Sequence, residues 1–203
     1  MSQLKPESSP TVVLASGSAY RRQLLARLGI PFLVVSPELD ERRIEPETAS
    51  ELTRRLAEAK SNAVRDRHPN ALIIGSDQVA VLDGEILRKP GSLEANIKQL
   101  MDSSGHPVQI LTSLCLLNAR TGRIQMDTVS ATVHFRLLSR PQVEHYVRRE
   151  RPFDCAGGFK SEGLGIALFS RVEAYDPTAL VGLPLISLIK MLDNERLDVL
   201  KTA

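Results

Sequence analysis

The amino-acid sequence predicts an α/β protein in which helices flank a mixed β-sheet. In its first half, short β-forming runs alternate with segments of helical periodicity, which is typical of neighbouring parallel strands. In its second half, two long β-like runs, residues 108–118 and 124–137, are joined by Arg120-Thr121-Gly122 and indicate an antiparallel pair. An elongated sheet with two lobes around a cleft is consistent with this order of elements.

The first half contains three predicted strands and two predicted helices. The strands cover residues 11–15, 32–35 and 71–82, and the helices cover residues 18–28 and 51–67. Gly29 suits the position after the first helix, because glycine readily adopts the left-handed conformation that ends many helices. The strand that begins at Ala71 is expected to leave the sheet in a turn at Gly75-Ser76, and Asp77 follows that turn.

The second half begins after a predicted hairpin turn at Asp83-Gly84. Predicted helices cover residues 93–101, 140–149 and 185–192, and a further strand covers residues 164–172. The longest late apolar stretch, residues 180–192, is interrupted by Gly182, Pro184 and Lys190. It is too short and too polar to cross a bilayer.

Length and composition are those of an ordinary globular protein. The chain has 203 residues, of which 42% are hydrophobic. We expect a flexible tail over residues 1–10 and a single catalytic domain over residues 11–203. The net charge of +2 gives no reason to expect a nucleic acid or a membrane as partner. Cys115 and Cys155 are too few for a disulfide framework, which favours a reducing, cytoplasmic setting.

Asp77 is the first candidate for a catalytic acid or base. It follows an apolar run, residues 71–74, that has the pattern of a buried strand. Ligands of open α/β sheets bind in the crevice beyond the carboxyl ends of the strands. A carboxylate at this point of the chain therefore combines a rigid support with access to a ligand.

A second candidate is the turn between the first strand and the first helix, which reads Ser16-Gly17-Ser18-Ala19-Tyr20-Arg21-Arg22. Free backbone N–H groups at a helix start favour anions, and Ser16, Ser18, Arg21 and Arg22 add further donors. The segment is a candidate phosphate cradle. A capping serine followed by solvated arginines explains the same residues equally well.

Four further segments carry charged residues. They are Leu39-Asp40-Glu41, Lys60 within the second helix, Arg88-Lys89-Pro90-Gly91, and Phe159-Lys160-Ser161-Glu162-Gly163. Taken alone, Glu41 and Lys60 are better explained as ordinary surface residues. Lys89 has an extended backbone because a proline follows it, and it could return towards the cleft of Asp77. The last segment is equally well explained as a ligand site or as a flexible glycine-rich loop.

Several mechanisms lack the residues that they need. A phosphatase cradle of the Cys-x5-Arg type that starts at Cys155 would need arginine where Ser161 stands. The sequence contains no Gly-Lys-Ser/Thr run of a P-loop and no Gly-x-Ser-x-Gly elbow, and its four histidines lack metal-ligand spacing. A nucleophilic Ser–His pair stays open on the sequence alone.

What remains is a set of hard oxygen ligands together with cations. The carboxylates are Glu41, Asp77 and Glu162, and the cations are Arg21, Arg22, Lys60 and Lys89. Carboxylates suit Mg²⁺ or Mn²⁺, and proteins commonly share such ions with substrate phosphates. This combination predicts the hydrolysis of a phosphoanhydride, with a carboxylate that orients or deprotonates water.

These segments, in this order, resemble the Maf family of nucleoside triphosphate pyrophosphatases over about residues 12–192. Each motif is weak alone, but the ordered set is specific. The motifs are Leu14-Ala15-Ser16-x-Ser18-x-x-Arg21-Arg22, Asp40-Glu41, Ala59-Lys60, Gly75-Ser76-Asp77-Gln78, Lys89-Pro90 and Gly182-Leu183-Pro184. The resemblance implies a Maf/ITPase-like fold with a deep cleft, a divalent metal cofactor, a nucleoside triphosphate substrate, a homodimer and a cytoplasmic location.

The resemblance also implies roles for individual residues. Asp77 corresponds to the proton acceptor. Glu41 and Asp77 correspond to the carboxylates that face the metal ion. The residues linked to substrate choice are Tyr20, Gln78 and Glu162, and the phosphate-facing residues are Arg21, Lys60 and Lys89. The stretch from Cys155 to Gly163 is similar to the subgroup that hydrolyses 7-methyl-GTP, because the dTTP/UTP subgroup would carry glutamine in place of Glu162.

Two departures and two alternatives accompany the resemblance. Ala19 stands where many members have proline, and Tyr20 stands where this subgroup is expected to have tryptophan, so an aromatic face is retained for stacking. One alternative is a pyrophosphatase for pyrimidine triphosphates. The other is a nucleotide-binding regulator of cell division, since the family is also associated with inhibition of septum formation.

Overall fold

The computed structural model describes residues 10–201, and it confirms the predicted α/β class. The seven strands of this part of the chain are β1 (Val12–Leu14), β2 (Phe32–Val34), β3 (Leu72–Leu82), β4 (Glu85–Leu87), β5 (Pro107–Asn118), β6 (Ile124–Phe135) and β7 (Phe169–Ala174). Its helices are α1 (Ala19–Ala26), α2 (Ala49–Asn62), α3 (Leu93–Ser103), α4 (Arg140–Glu150) and α5 (Leu185–Asn194). The predicted flexible tail, except Pro10, lies outside the described residues.

All seven strands form one mixed sheet in the order β2-β1-β3-β5-β6-β7, and β4 pairs with β3. The pairs β1–β2 and β1–β3 are parallel, whereas the long strands β3, β5 and β6 are antiparallel. One edge of β3 is covered by β5 along nearly its whole length. The parallel first half and the antiparallel second half both match the sequence prediction.

The other edge of β3 is covered by two different strands with a gap between them. Strand β1 pairs with β3 as far as Ile74, and β4 begins to pair at Ala80. Residues 75–79 therefore have no strand partner on this edge. Since side chains alternate between the two faces of a strand, such a gap lets residues from both faces border one opening.

Local sequence signals set the ends of several elements. The side chain of Ser18 accepts a hydrogen bond from the backbone N–H of Arg21 at the start of α1. Thr48 and Glu51 form a capping box at the start of α2. The β3–β4 hairpin turns at Asp83-Gly84, where both residues have positive φ, as a two-residue hairpin of type I′ requires.

Two large hydrophobic cores lie at opposite ends of the long strands. One packs α1 and α5 against β1 and the first residues of β3, around Leu14, Leu72 and Leu188. The other packs α3 and α4 against the far ends of the strands, around Leu100, Val133 and Phe159. The expected two lobes correspond to these cores, and residues 75–79 of β3 lie between them.

The predicted turn at Gly75-Ser76 is wrong, because β3 continues unbroken to Leu82. Gly75 serves a packing role instead. A Cβ atom at this position would stand 2.0 Å from the carbonyl oxygen of Ala57 in α2. The glycine therefore lets helix and sheet approach closely. Asp77 lies in the middle of a strand, and the gap beside β3 makes it accessible.

Two predicted element ranges also need correction. Helix α2 ends at Asn62 rather than at residue 67, because successive turns lead the chain back into β3. The predicted strand over residues 164–172 begins only at Phe169, and Leu164–Leu168 form a 3₁₀ turn. Gly165 donates its N–H to the carbonyl oxygen of Lys160, which folds this segment back on itself.

Candidate active site

A cleft of about 870 Å³ opens at the gap beside β3. Its walls come from the β1–α1 turn, α2, β3, the residues after β4, and the segment around residues 154–162. The predicted site residues that line it are Ser16, Ser18, Tyr20, Arg21, Glu41, Lys60, Asp77, Gln78, Lys89 and Glu162. Arg22 is exposed and does not line this cleft, so its predicted place in the site is not supported.

Asp77 and Lys60 form a buried ion pair at the base of the cleft. The Nζ atom of Lys60 lies 2.6 Å from Asp77 Oδ1 and 2.9 Å from Glu41 Oε1. Lys60 is 5% exposed and Asp77 is 7% exposed. The explanation of Lys60 as an ordinary surface lysine is therefore wrong. Its ammonium group holds two carboxylates together and does not stand free in the cleft.

Glu41 is a half-exposed carboxylate whose ionised form is favoured by the cations around it. Partial burial acts to raise its pKa, but hydrogen bonding and the charge of Lys60, with the charges of Lys89 and Arg21, lower the pKa below its usual value. The loop that carries Glu41 is tied to α2, because Arg55 pairs with Glu47 and donates to the carbonyl oxygen of Arg42 at 3.0 Å.

Arg21 is anchored to the loop before α5. Its Nε donates to the carbonyl oxygen of Gly182 at 2.8 Å, and the hydroxyl of Ser76 donates to the same oxygen at 2.9 Å. Burial lowers the pKa of Arg21, and the negative charges of Asp77 and Glu41 oppose this effect. The late Gly182-Leu183-Pro184 motif thus acts at the site through a backbone oxygen, which sequence reasoning did not assign.

The two serines of the β1–α1 turn are engaged in local hydrogen bonds. Ser18 caps α1, and the hydroxyl of Ser16 accepts from the N–H of Ser18 at 3.2 Å and from Arg21 Nη1 at 3.5 Å. The capping interpretation therefore holds for Ser18. Both residues also border the cleft, so capping and contact with an anion are compatible.

Gln78 faces the side of the sheet opposite to Asp77, yet it borders the same cleft. Its Nε2 donates to Thr112 Oγ1 at 2.9 Å and to the carbonyl oxygen of Ala179 at 2.8 Å. The two N–H bonds of the amide are thereby used inside the protein. The side-chain oxygen is the part of Gln78 that is left to accept a hydrogen bond from a ligand.

Tyr20, Cys155 and Glu162 line the cleft beyond the carboxylates. Burial raises the pKa of Tyr20, and the nearby positive charge of Lys160 opposes this rise. Burial raises the pKa of Cys155 to about 12, so its thiol is protonated at neutral pH and is no nucleophile. Glu162 is exposed to the cleft, and Ser161 donates to its carboxylate at 3.3 Å.

The described residues contain no group of three or more His, Cys, Asp or Glu that could hold a metal ion. Glu41 and Asp77 are nevertheless two hard carboxylates that lie close together at the cleft, since one oxygen of each contacts the Nζ atom of Lys60. Mg²⁺ commonly binds through one or two carboxylates and completes its shell with substrate phosphates and water. This donor set therefore fits an ion that is shared with a phosphorylated substrate.

A second cavity of about 440 Å³ lies next to α4. Its walls are mostly apolar, and they include Arg136, His145 and Arg149 but no carboxylate. It therefore offers no carboxylate base to activate water. The cleft beside β3 contains Glu41, Asp77 and Glu162, and it is the candidate active site.

Comparison with known proteins agrees with this geometry. A family model described as "Maf-like protein" matches residues 11–195. The chain belongs to the Maf family. A curated Maf relative from Pseudomonas aeruginosa, named 7-methyl-GTP pyrophosphatase, is 53% identical over 94% of this chain and 99% of its own length. A relative of the same name from Pseudomonas putida is 54% identical over 91% of this chain and 96% of its own length.

A solved structure, that of the Staphylococcus aureus Ham1 protein, is similar to this Maf chain in fold. The TM-score is 0.51 with 15% sequence identity, over 91% of this chain and 99% of the other. At this identity the similarity shows the fold alone. It confirms the predicted architecture, in which a mixed sheet is flanked by helices.

Proposed function

We propose that this Maf-family protein is a nucleoside triphosphate pyrophosphatase that hydrolyses 7-methyl-GTP to 7-methyl-GMP and pyrophosphate. The observation that carries this proposal is the meeting of Asp77, Glu41, Arg21 and Lys89 in one cleft. A triphosphate needs cations along its length, and hydrolysis needs a carboxylate that can accept a proton from water. The names of relatives at 53% and 54% identity support this substrate.

In the proposed reaction, water attacks the α-phosphorus and Asp77 accepts its proton. The bond from the α-phosphorus to the bridging oxygen breaks, and pyrophosphate leaves with the electron pair. Lys60 holds Asp77 Oδ1 at 2.6 Å, which fixes the orientation of the carboxylate. We therefore assign Lys60 to the positioning of Asp77, whereas Arg21 and Lys89 contact the phosphates.

A divalent cation, Mg²⁺ or Mn²⁺, fits the same corner of the cleft. Glu41 and Asp77 would hold it together with substrate oxygens. When bound, such an ion supplies positive charge next to the phosphate oxygens. The protein's own contribution is to keep Glu41 ionised, since Lys60, Lys89 and Arg21 together lower the pKa of that group below its usual value despite its partial burial.

Recognition of the base is assigned to the opposite wall of the cleft. The carboxylate of Glu162 accepts hydrogen bonds from N1–H and the exocyclic amine of guanine, and its charge favours the cationic methylated ring. Tyr20 offers an aromatic face for stacking. The free side-chain oxygen of Gln78 is a further acceptor for the nucleoside.

We also propose that the enzyme is a cytoplasmic homodimer. Both cysteines are free thiols, which suits a reducing compartment. Among residues 10–201, no helix has the length and apolar character that would be needed to cross a membrane. Sedimentation velocity at several protein concentrations tests the dimer.

The proposed function is tested by pyrophosphate release from a panel of nucleotides that includes 7-methyl-GTP, GTP, UTP and dTTP. Each is assayed with Mg²⁺, with Mn²⁺ and with a chelator. We expect the highest kcat/KM with 7-methyl-GTP and little turnover in chelator. Equal or better hydrolysis of UTP would overturn the substrate assignment, and full activity in chelator would overturn the role of the ion.

A further inference from the structure

Glu162 lies in a turn that is hydrogen-bonded to one face of α4. The turn begins at Lys160, whose carbonyl oxygen accepts the N–H groups of Gly163 at 3.2 Å and Gly165 at 3.1 Å. A Cβ atom on Gly165 would stand 2.3 Å from that oxygen, so the turn is closely packed. The position of Glu162 therefore depends on the position of Lys160.

Lys160 is in turn fixed by two residues of α4, Tyr146 and Glu150. The backbone N–H of Lys160 donates to the phenol oxygen of Tyr146 at 2.9 Å, and its Nζ donates to the carbonyl oxygen of Glu150 at 2.8 Å. The carboxylate of Glu150 also accepts the N–H of Leu164 at 3.4 Å. Residues four apart share one face of a helix, so this face holds both ends of the turn.

Tyr146 is well suited to be an anchor. It is 3% exposed and is packed in the core of α3 and α4, and it does not line the catalytic cleft. Burial raises the pKa of its hydroxyl above the usual value, which favours the neutral phenol, and the phenol oxygen accepts the N–H of Lys160. Its phenol oxygen is therefore a fixed point that cannot be displaced by the substrate.

We propose that Tyr146 is a specificity-positioning residue that acts through Lys160 to hold Glu162 against the base of the substrate. It touches no substrate atom. Its effect falls on the recognition of 7-methylguanine and not on the chemical step, because Asp77 is held separately by β3 and Lys60. This inference rests on the proposed function, since it needs an enzyme that prefers 7-methyl-GTP to UTP.

The test is a double-mutant cycle of Tyr146→Phe and Glu162→Gln, with kcat and KM measured for 7-methyl-GTP and for UTP. Tyr146→Phe keeps the ring and removes one buried hydrogen bond. We expect KM for 7-methyl-GTP to rise about tenfold, as the loss of one such bond implies. We expect kcat to stay within about twofold and UTP kinetics to change little on the same reasoning. On the Glu162→Gln background, Tyr146→Phe should leave the substrate preference unchanged.

Two control variants separate positioning from general stability. Val143→Ala creates a cavity in the same helix and the same core, because Val143 is fully buried there. It leaves the hydrogen bonds of Lys160 to Tyr146 and Glu150 in place. Tyr175→Phe makes the same chemical change at a residue that is 83% exposed. Both should leave the ratio of kcat/KM values for 7-methyl-GTP and UTP unchanged. Thermal unfolding of each variant measures the change in stability alone.

Four results would overturn the inference. In Tyr146→Phe, the ratio of kcat/KM values for 7-methyl-GTP and UTP could stay within about twofold of the wild-type ratio, a change smaller than the loss of one buried hydrogen bond would cause. Tyr146→Phe could lower the ratio as much on the Glu162→Gln background as it does in the wild type. Val143→Ala could also lower the ratio as much as Tyr146→Phe does. If Tyr146→Phe does not fold, Glu150→Ala is the second variant, because it removes the carboxylate that accepts the N–H of Leu164 while it keeps the backbone carbonyl that binds Lys160. This variant must lower the ratio, and an unchanged ratio in it is the fourth result. A wild-type enzyme without preference for 7-methyl-GTP would instead contradict the proposed function.

Discussion

Gly75 of β3 lies directly against the main chain of α2 at Ala57, where a Cβ atom would stand 2.0 Å from the carbonyl oxygen. Lys60 is one helical turn beyond Ala57, and Asp77 is two residues beyond Gly75 on the same face of the strand. The close approach of helix and strand is therefore what brings the ammonium of Lys60 to 2.6 Å from the carboxylate of Asp77.

The first prediction concerns this contact. Gly75→Ala should destabilise the protein by about 3 kcal/mol, the upper range for an overpacked core, because backbone and not a flexible side chain blocks the new methyl group. Urea unfolding measures the change. Gly17→Ala is the control, since its Cβ would meet the side chain of Ser36, with the hydroxyl at 3.1 Å, and no backbone atom within 4 Å. Equal stabilities of the two variants would show that α2 can move freely.

Asp77→Asn should retain the fold and lose turnover by about 10²–10⁴-fold, because the amide has nearly the same shape but cannot accept the proton. Pyrophosphate release under saturating substrate measures the loss, and a thermal melt verifies folding. Asp83→Asn is a matched control in the β3–β4 turn, where asparagine also tolerates the positive φ of 49°. Near-normal turnover in Asp77→Asn would remove Asp77 from the mechanism.

Lys60→Met should move the acid limb of the pH–rate profile to higher pH. Burial acts to raise the pKa of Glu41, and Lys60 provides the largest opposing interaction. Without Lys60 the pKa of Glu41 rises, and the carboxylate becomes protonated at a higher pH than in the wild type. The measurement is kcat/KM as a function of pH between 4 and 8, a range chosen around the usual value of about 4.3 for glutamate.

The same variant removes the ion-pair partner of the buried carboxylate of Asp77, so we also expect destabilisation of about 3 kcal/mol. Lys98→Met is the control, because Lys98 forms an exposed pair with Asp102 on α3. An acid limb that is identical in the Lys60 and Lys98 variants would contradict a link between Lys60 and Glu41.

Glu162→Gln should lower the preference for 7-methyl-GTP over UTP by about tenfold or more, since the amide replaces one of two carboxylate acceptors with a donor and removes the charge that faces the cationic ring. The measurement is the ratio of kcat/KM values for the two nucleotides. Glu85→Gln makes the same change at an exposed position in β4 and should leave the ratio unchanged. An unaltered ratio in Glu162→Gln would separate Glu162 from base recognition.

Periodicity and turn residues were sufficient to predict most elements of the fold. The alternation of strands and helices before residue 70, the Asp83-Gly84 hairpin and the long antiparallel pair are local patterns, and the structure contains each of them. The misplaced element ends have a common cause. At Gly75 and at the end of α2, the conformation is determined by packing against distant parts of the chain, and local propensity cannot predict such packing.

The sequence by itself determined which chemical groups are present: carboxylates, cations and a capped helix start, in the order of the Maf family. Tertiary structure alone decided how they are used. It placed Lys60 between Glu41 and Asp77, joined Arg21 to the carbonyl oxygen of Gly182, and left Arg22 outside the cleft. These contacts join residues up to 161 positions apart, and backbone oxygens and unpaired strand edges have no signature in residue identity.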